Sequence, residues 1–205
     1  MVNPNTAHLT LVVDRSGSMQ SVRDDAQGGI NTLLAEQFAA PARTLTVTLV
    51  EFDDDIDTIA RLSTTAPRYE LIPKGCTRLL DAVGTEIART GQDLAALPEH
   101  ERPERVLFVV VTDGMENAST EFTMQQVRAA VEHQRTVYSW QFQFIGADAA
   151  AWQGTDMGMA TTRYAASPAG TRAAYRAAST AIRDYLEAPL SAPFSMPSVI
   201  EGDPS

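Results

Sequence analysis

One short run limits the fold of this chain more than any other feature. Residues Arg105–Val111 read RVLFVVV and lead directly into Thr112, Asp113 and Gly114. A continuous stretch of β-branched and aromatic residues favours a strand at the centre of a parallel sheet that is covered on both faces. The run is far too short to cross a bilayer. It therefore predicts the central strand of a layered domain.

Strands alternate with helices along most of the chain. The predicted strands cover residues 8–13, 44–52, 56–62, 105–111, 138–145 and 161–165. The predicted helices cover 19–38 and 79–90, with two more beginning at a Thr123–Gln126 capping box and at Ser167–Pro168. The short acidic turn 53–55 forces strand 56–62 to pair antiparallel with the strand before it. The alternation predicts a three-layer α/β domain: a mostly parallel central sheet with one antiparallel edge strand, and helices on both faces.

Two patterns inside these elements have structural interpretations. Gly28 and Gly29 lie within the first predicted helix, where each costs about 1 kcal/mol relative to alanine. They indicate that this helix packs closely on the sheet. Aromatic residues recur at 138, 140, 142 and 144, and we expect this stripe, including Trp140, to lie in the core.

The composition changes after Glu187. A length of 205 residues suits one domain, which we assign to residues 1–187. Prolines and serines without an apolar period predict a flexible tail at residues 188–205. Glu201, Asp203 and the terminal carboxylate lie on this tail, so one hypothesis is that it blocks the chain's own binding site.

Charge and cysteine content indicate which partners and which cellular compartment suit this chain. The net charge is −10 and the isoelectric point about 4.7, so nucleic acid and anionic membrane surfaces are poor partners. Cys76 is the one cysteine, which excludes an intrachain disulfide. Residues 1–5 lack the basic and apolar pattern of a signal peptide. We therefore expect a cytoplasmic protein.

Three motifs place oxygen-bearing side chains at strand ends or in loops at one edge of the predicted sheet. They are Asp14–Ser18 with the sequence DRSGS, Gly75–Thr77, and Thr112–Gly114. Ligands of open α/β sheets bind beyond the carboxyl ends of the strands. Together the motifs offer two carboxylates and three hydroxyls: Asp14, Asp113, Ser16, Ser18 and Thr77.

Such an all-oxygen set suits a hard divalent cation. Mg²⁺ or Mn²⁺ in octahedral geometry matches it best, and Ca²⁺ is also compatible. Zinc is disfavoured because His8, His100 and His133 are scattered and Cys76 stands alone. Two carboxylates neutralise the ion, and hydroxyls add ligands without adding charge. The cation would therefore still accept an anionic oxygen from outside.

The segment DRSGSM at 14–19 resembles the D-x-S-x-S motif of von Willebrand factor A domains. Thr77 and the TDG segment at 112–114 are similar to the family's remaining metal-binding positions, in the same order. The resemblance covers roughly residues 8–186 and implies a Rossmann-like α/β fold with a metal-ion-dependent adhesion site. It further implies that Asp14, Ser16, Ser18, Thr77 and Asp113 hold the metal. The metal would then bind an Asp or Glu of a protein partner. Cys76 departs from the glycine that relatives often have.

Several alternatives remain open at this stage. Asp14, Ser16 and Ser18 could merely cap the first helix. Asp53, Asp54 and Asp55 form either a solvated turn, which we favour, or a second cation site. Glu116 and Asn117 either orient a metal-bound water or only shape their loop. Cys76 is either a small, partly buried thiol, which we favour, or a redox-active one.

The competing function is enzymatic. A metal-dependent hydrolase or phosphoryl-transfer enzyme would need a general base or nucleophile beside the metal, and Asp14, Glu116 and Asp53 are the candidates. A phospho-aspartate receiver would need a lysine at the end of a late strand, whereas Lys74 lies in another loop. A phosphate-binding loop of the GK[ST] type is absent from the sequence. We therefore favour a protein-interaction module, by family analogy a subunit or scaffold of a larger bacterial-type complex.

Overall fold

The computed structural model describes residues 2–39, 43–189 and 191–200. Seven strands and five helices follow one another along these ranges. The strands are β1 (Asn3–Asp14), β2 (Thr44–Phe52), β3 (Ile56–Ser63), β4 (Pro103–Thr112), β5 (Gln141–Ala147), β6 (Ala160–Tyr164) and β7 (Val199–Ile200). The helices are α1 (Arg23–Ala39), α2 (Leu79–Ala96), α3 (Met124–Tyr138), α4 (Trp152–Asp156) and α5 (Pro168–Glu187). None of the helices within the described ranges is long and apolar enough to cross a membrane.

All seven strands belong to one sheet, in the order β3-β2-β1-β4-β5-β6-β7. Every neighbouring pair is parallel except β2 and β3, which pair antiparallel at the edge. β1 lies between β2 and β4, with Val12 opposite both Val50 and Val110. The predicted three-layer α/β fold with one antiparallel edge strand is confirmed.

β4 shows why the sheet is covered on both faces. Leu107, Val109 and Val111 belong to the core cluster that includes residues of α1 and α5. Val106, Phe108 and Val110 belong to the cluster that includes residues of α2 and α3. All six side chains are at most 4% exposed. Because successive side chains of a strand point to opposite faces, a continuous apolar run serves both layers.

The first predicted helix has two parts. Residues Gly17–Val22 form a 3₁₀-helix, and α1 begins only at Arg23.

The two glycines of α1 have different surroundings. A methyl group at Gly29 would lie 2.7 Å from the Tyr175 ring, whereas nothing lies within 4 Å of such a group at Gly28. The prediction that both glycines pack on the sheet is therefore wrong. Gly29 lets α1 approach α5, and Gly28 faces open space.

The aromatic stripe is core only in part. Trp140, Phe142 and Phe144 are buried, but Tyr138 is 58% exposed and ends α3 instead of beginning β5. Ser139 has a left-handed backbone with φ of 59°, which terminates the helix. The alternation of aromatics therefore extended the predicted strand three residues too far toward the N-terminus.

The C-terminal stretch packs against the domain. Phe194 is 8% exposed and contacts the Tyr185 ring edge-on at 5.6 Å between centroids. Val199 and Ile200 form β7 and pair with β6. Residues 191–200 thus differ from the loose tail expected there. Glu201 and Asp203, which carry the self-blocking hypothesis, lie outside the described residues, and that hypothesis stays a prediction.

Candidate metal centre

The parallel pairing of β1 with β4 brings two aspartates to the same edge of the sheet. Val13 lies opposite Val111, so Asp14 at the end of β1 and Asp113 just after β4 leave the sheet side by side. Their separation in sequence therefore says nothing about their separation in space. The sheet itself positions both candidate carboxylates.

Asp14 is the buried member of this pair, with no exposed surface. Its Oδ2 accepts a 2.5 Å hydrogen bond from the Thr112 hydroxyl, and its Oδ1 accepts a 2.6 Å hydrogen bond from the Ser16 amide. Burial raises the pKa of Asp14 to about 6, against the opposing effect of these hydrogen bonds. A nearby cation would relieve the cost of keeping this carboxylate charged.

The serines connect the first loop to the fourth strand. Ser18 Oγ donates to Asp113 Oδ1 at 2.6 Å, and the Ser16 and Ser18 hydroxyls lie 3.1 Å apart. Burial raises the pKa of Asp113 as well, while the Ser18 hydroxyl opposes the shift. Ser16 heads the 3₁₀-helix, but its side chain makes no capping hydrogen bond there. Helix capping therefore does not account for Ser16.

The hydroxyl of Thr77 lies close to the other candidate ligands, in the space next to Gly114. A methyl group on Gly114 would lie 3.1 Å from Ser18 Oγ, 3.2 Å from Thr77 Oγ1 and 3.3 Å from Asp14 Oδ2. Oxygens from two of the predicted motifs thus converge beside the glycine of the third. The structure brings all five predicted residues together, since Asp113 and Ser16 bond to or contact Ser18.

Asn117 holds Thr77 from the other side. The side-chain Oδ1 of Asn117 accepts a hydrogen bond from the Thr77 backbone amide at 3.0 Å, and the backbone amide of Asn117 donates to the Thr77 carbonyl at 3.1 Å. This two-point contact fixes the backbone of Thr77. Asn117 thus positions Thr77 through loop contacts, which is one of the two alternatives left open for it by the sequence.

Glu116 shapes the loop after β4. Its carboxylate accepts from the Leu80, Ala118 and Ser119 amides and from the Ser119 hydroxyl, at 2.7 to 2.9 Å. Four donors occupy both oxygens, so loop chemistry explains this residue. The bond from Leu80 also satisfies an amide in the first turn of α2.

Asp81 is a second organiser that the sequence analysis missed. It is fully buried and accepts from the Thr120, Glu121 and Phe122 amides and from the Arg78 guanidinium. These bonds hold the pKa of Asp81 below its ordinary value in spite of its burial. The hydrogen bonds of Asp81 thus connect the first turn of α2 to the loop after β4. This connection keeps Thr77 and Asp113 close together. An aspartate in a first helical turn is a common feature, so its sequence position alone gave no signal.

Arg15 overturns the favoured interpretation of the acidic turn. Its guanidinium is buried and pairs with Glu51 at 2.5 Å, with Asp53 at 3.0 Å and with Asp57 at 2.7 Å. Asp53 is only 1% exposed, so the expected solvated turn is wrong at this residue. The Arg15 guanidinium and, at 3.7 Å, the Lys74 ammonium both pair with Asp53, so its carboxylate already has cationic partners within the chain. Asp54 and Asp55 are exposed, as expected.

Cys76 is exposed, so the expectation of a partly buried thiol is wrong. The neighbouring Asp54 carboxylate raises the pKa of the thiol. A raised pKa lowers the thiolate fraction at neutral pH, which is the reverse of what a reactive cysteine requires.

Solved structures with this arrangement of strands and helices decide the fold. The vWF domain of the type V pili tip protein Mfa5 from Porphyromonas gingivalis matches 92% of this chain and 98% of its own, with a TM-score of 0.60 and 11% identity. A von Willebrand factor type A protein from Catenulispora acidiphila matches 87% of this chain with a TM-score of 0.59 and 15% identity. The chain has the von Willebrand factor A fold. The PilB minor pilin from Streptococcus sanguinis is also similar, over 93% of this chain, with a TM-score of 0.62 and 13% identity.

These likenesses are structural. No family model matches the sequence, and no curated protein matches it. The chain spans 64% of the PilB minor pilin and 42% of the Catenulispora protein. A von Willebrand factor A fold is therefore established for this chain, and its activity is a separate question.

The residues at the edge of this von Willebrand factor A fold suit a divalent cation in their chemistry. The three atoms nearest the point beside Gly114 are carboxylate or hydroxyl oxygens, which are the ligands that Mg²⁺ and Mn²⁺ prefer. Within the described ranges, no group of three or more His, Cys, Asp or Glu side chains is placed to hold a metal. A cation bound here would therefore depend on the hydroxyls as much as on the two carboxylates.

Proposed function

We propose that this protein is a divalent-cation-dependent protein-interaction module. Asp14, Ser16, Ser18, Thr77 and Asp113 would hold Mg²⁺, or Mn²⁺, with Ca²⁺ also compatible. When bound, the cation would supply a Lewis-acidic position for one carboxylate oxygen of an Asp or Glu on a partner. The chain's own residues would hold the ion and orient its open side toward solvent.

The convergence of oxygens around Gly114 carries this proposal. Three oxygens from two loops, those of Asp14, Ser18 and Thr77, lie within 3.3 Å of one point beside Gly114 in a third loop. The raised pKa of Asp14, at about 6, means that the fold maintains a carboxylate in a place unfavourable to its charge. A cation-binding site is expected to show this, because a bound cation offsets the free-energy cost of keeping the buried carboxylate charged.

The contacts of the candidate bases favour binding over catalysis. Four hydrogen bonds engage Glu116, and ion pairs with Arg15 engage Asp53. A general base must be within reach of the proton that it takes and free to take it. A phosphoesterase would lose turnover of p-nitrophenyl phosphate in Asp14→Ala. Measurable turnover that disappears in this variant would replace the interaction module with an enzyme.

The proposed setting is a larger cytoplasmic complex in which this chain is a subunit or scaffold. The acidic charge of −10 disfavours nucleic acid and membrane surfaces as partners. Two of the similar structures come from a minor pilin and a pilus tip protein. Fractionation of cells that express the native gene would place the protein, and recovery outside the cytoplasm would contradict this part of the proposal.

Linkage between cation and carboxylate tests the proposed function. If both bind at one centre, acetate should raise the Mg²⁺ affinity, and Mg²⁺ should raise the acetate affinity by the same factor. Calorimetric titration of Mg²⁺ at increasing acetate measures this coupling, with equal sodium chloride as the control. Mg²⁺ binding that ignores acetate would contradict the partner-carboxylate mechanism.

A further inference from the structure

The carboxyl edge of the sheet has different chemistry on the two sides of the candidate metal centre. The centre lies beyond β1 and β4, which are neighbours in the sheet. On one side, beyond β2 and β3, lies the acidic turn 53–55. On the other side, beyond β4 and β5, lie Met115 and Trp152. A partner segment that crosses this edge would meet the three regions in a fixed order.

The apolar flank consists of Met115 and Trp152. Met115 is 53% exposed and Trp152 is 52% exposed, which is unusual for side chains of this size. Gln153, next to Trp152 in sequence, joins their two segments, since its Nε2 donates to the Gly114 carbonyl at 3.2 Å and its Oε1 accepts from the Glu116 amide at 2.6 Å. The apolar flank therefore begins one residue from the point that the candidate ligands surround.

The acidic flank lies around the turn between β2 and β3. Within the described part of the chain, this corner holds three cations, Arg15, Lys74 and Arg78, and five carboxylates, Glu51, Asp53, Asp54, Asp55 and Asp57. Arg15 and Lys74 pair with Glu51, Asp53 and Asp57. Arg78 donates to the Asp54 backbone carbonyl, but its ion pairs are with Asp81 and Glu121. The exposed surface of the turn is therefore left to Asp54 and Asp55, and it is negative.

Another exposed apolar residue of the neighbouring loop lies off this line. Ile72 is 59% exposed, but the carbonyl of the preceding Leu71 accepts a 2.9 Å hydrogen bond from Arg23 at the start of α1. This bond keeps Ile72 next to α1, on the side of the sheet that α1 covers. Ile59 is 40% exposed, but it lies on β3 between the residues that pair with Val50 and Leu49, set back from the carboxyl edge of the sheet.

The sheet fixes the approximate spacing. Adjacent strands lie about 4.8 Å apart, so the acidic flank is about 10 Å, and the apolar flank about 5 to 7 Å, from the centre between β1 and β4. An extended peptide advances about 3.3 Å per residue, so two to three residues cover each distance. A single short segment can thus reach all three regions.

We propose that the partner presents one extended segment with a basic residue, an acidic residue and an apolar residue, in that spatial order. The acidic residue faces the metal centre, the basic residue lies two to three positions away over Asp54 and Asp55, and the apolar residue lies two to three positions away on the other side, against Met115 and Trp152. Either chain direction satisfies this order. The inference rests on the proposed function, because the central acidic residue requires the bound cation.

Synthetic peptides test the order directly. The probe is acetyl-Lys-Ser-Ser-Asp-Ser-Leu-amide, titrated into Mg²⁺-loaded protein and followed by calorimetry and by Trp152 fluorescence. Trp140 is 4% exposed, so solvent-quenchable emission comes mainly from Trp152. Replacing Lys by Glu in the peptide should weaken binding about fivefold, and replacing Leu by Ser should weaken it about tenfold.

Protein variants assign each flank. Asp55→Lys should reverse the preference, so that the Glu-bearing peptide binds better than the Lys-bearing one. Trp152→Ala, followed by calorimetry, should remove the difference between the Leu and Ser peptides. Tyr138→Ala, which removes an aromatic side chain 58% exposed at the opposite edge of the sheet, is the matched control and should change neither preference.

The outcomes separate this inference from the proposed function. Mg²⁺-dependent binding that requires the peptide Asp but ignores Lys and Leu would overturn the inference alone. Absence of binding for every peptide, with Mg²⁺ shown to be bound, would overturn it too. Equal binding of the peptide with Asn in place of Asp, or failure of Mg²⁺ to bind at all, would contradict the proposed function itself.

Discussion

The hydroxyl of Ser18 donates a 2.6 Å hydrogen bond to Asp113, a residue 95 positions away in sequence. This bond joins the loop after β1 to the loop after β4 at the edge of the sheet. Both side chains offer oxygen to the same small space, and a cation there would replace the hydrogen bond with two coordination bonds. The side chains proposed as ligands are therefore held together by hydrogen bonds of their own.

Gly114→Ala should impair metal binding without unfolding the protein. The added methyl group would lie 3.1 to 3.3 Å from three candidate ligand oxygens, in the space that a cation would share. We expect the Mn²⁺ affinity to fall by more than about tenfold. Calorimetry measures the affinity, and circular dichroism checks the fold.

Gly28→Ala is the matched control for that substitution. Nothing lies within 4 Å of a methyl group at this position in α1, so metal affinity should stay unchanged. Removing a helical glycine should also raise the free energy of unfolding by about 1 kcal/mol. Equal metal affinity in Gly114→Ala and Gly28→Ala would contradict the assigned position of the centre.

Asn117→Ala should weaken metal binding although Asn117 is not a predicted ligand. The substitution removes the acceptor for the Thr77 amide and loosens the loop that presents Thr77. Outer partners of metal ligands typically contribute about 10- to 100-fold in affinity. A titration of Mn²⁺ into the variant measures the loss.

Asn31→Ala is the corresponding control. Asn31 also contacts the backbone of one residue, Tyr69, at two points, with its side-chain Nδ2 donating to the carbonyl and its Oδ1 accepting from the amide. Its loss should lower stability and leave metal affinity unchanged. Asn117→Asp retains the acceptor and should retain more affinity than Asn117→Ala. Full affinity in Asn117→Ala would remove the positioning role.

The sequence predicted six of the seven strands, although not β7, and it predicted which oxygen-bearing side chains would meet at the edge of the sheet, because these features depend on local pattern. The apolar run of β4 and the residues that follow it predicted where Asp113 would emerge, and parallel pairing then placed it beside Asp14. The burial of Asp53 was not predictable in this way. It depends on Arg15, which arrives from another strand and is named in the motif only as a variable position.

The same limit applies to the supporting residues. Asp81 and Asn117 act on backbone groups some 40 residues away, and single polar residues carry no periodicity to reveal such contacts. The prediction of a loose C-terminal tail was wrong for a related reason. Phe194 packs on Tyr185 as one isolated aromatic in a proline-rich segment, and one residue makes no pattern.

Metal affinity should rise with pH between 5 and 7. Burial raises the pKa of Asp14 from 3.8 to about 6, so at pH 5 this carboxyl is mostly protonated and must lose its proton to bind a cation. We expect Mg²⁺ to bind about tenfold more weakly at pH 5 than at pH 7. Without metal, the folded state holds this proton more tightly than the unfolded state, so Asp14 lowers stability as pH rises from about 4 to 6. Affinity that is flat across this range would contradict the burial of a charged ligand.

His8 should make the fold sensitive to acid independently of the metal. Its ring contacts Thr46 at 2.8 Å and Thr10 at 3.2 Å, and burial lowers its pKa from 6.5 to about 4. The unfolded state therefore binds more protons between these values, and stability falls as pH drops from 6.5 to 4. The loss should be about 3 kcal/mol over that window.

Urea denaturation at several pH values measures the contribution of His8. In His8→Gln the fall in unfolding free energy between pH 6.5 and 4 should be smaller by about the same 3 kcal/mol. His133→Gln changes an exposed ring and should keep the fall seen in the unmodified protein. Parallel curves for His8→Gln and the unmodified protein would show that His8 is not the group responsible.

The most direct test of the metal-dependent interaction module is a calorimetric titration of Mg²⁺ and Mn²⁺ into the unmodified protein and into Asp14→Ala. It is made with and without acetate as a surrogate for the partner's carboxylate. The account predicts a single site in the unmodified protein, strengthened by acetate and lost in the variant. No binding by the unmodified protein even with acetate, or equal binding by both proteins, would contradict the metal centre and leave only the von Willebrand factor A fold.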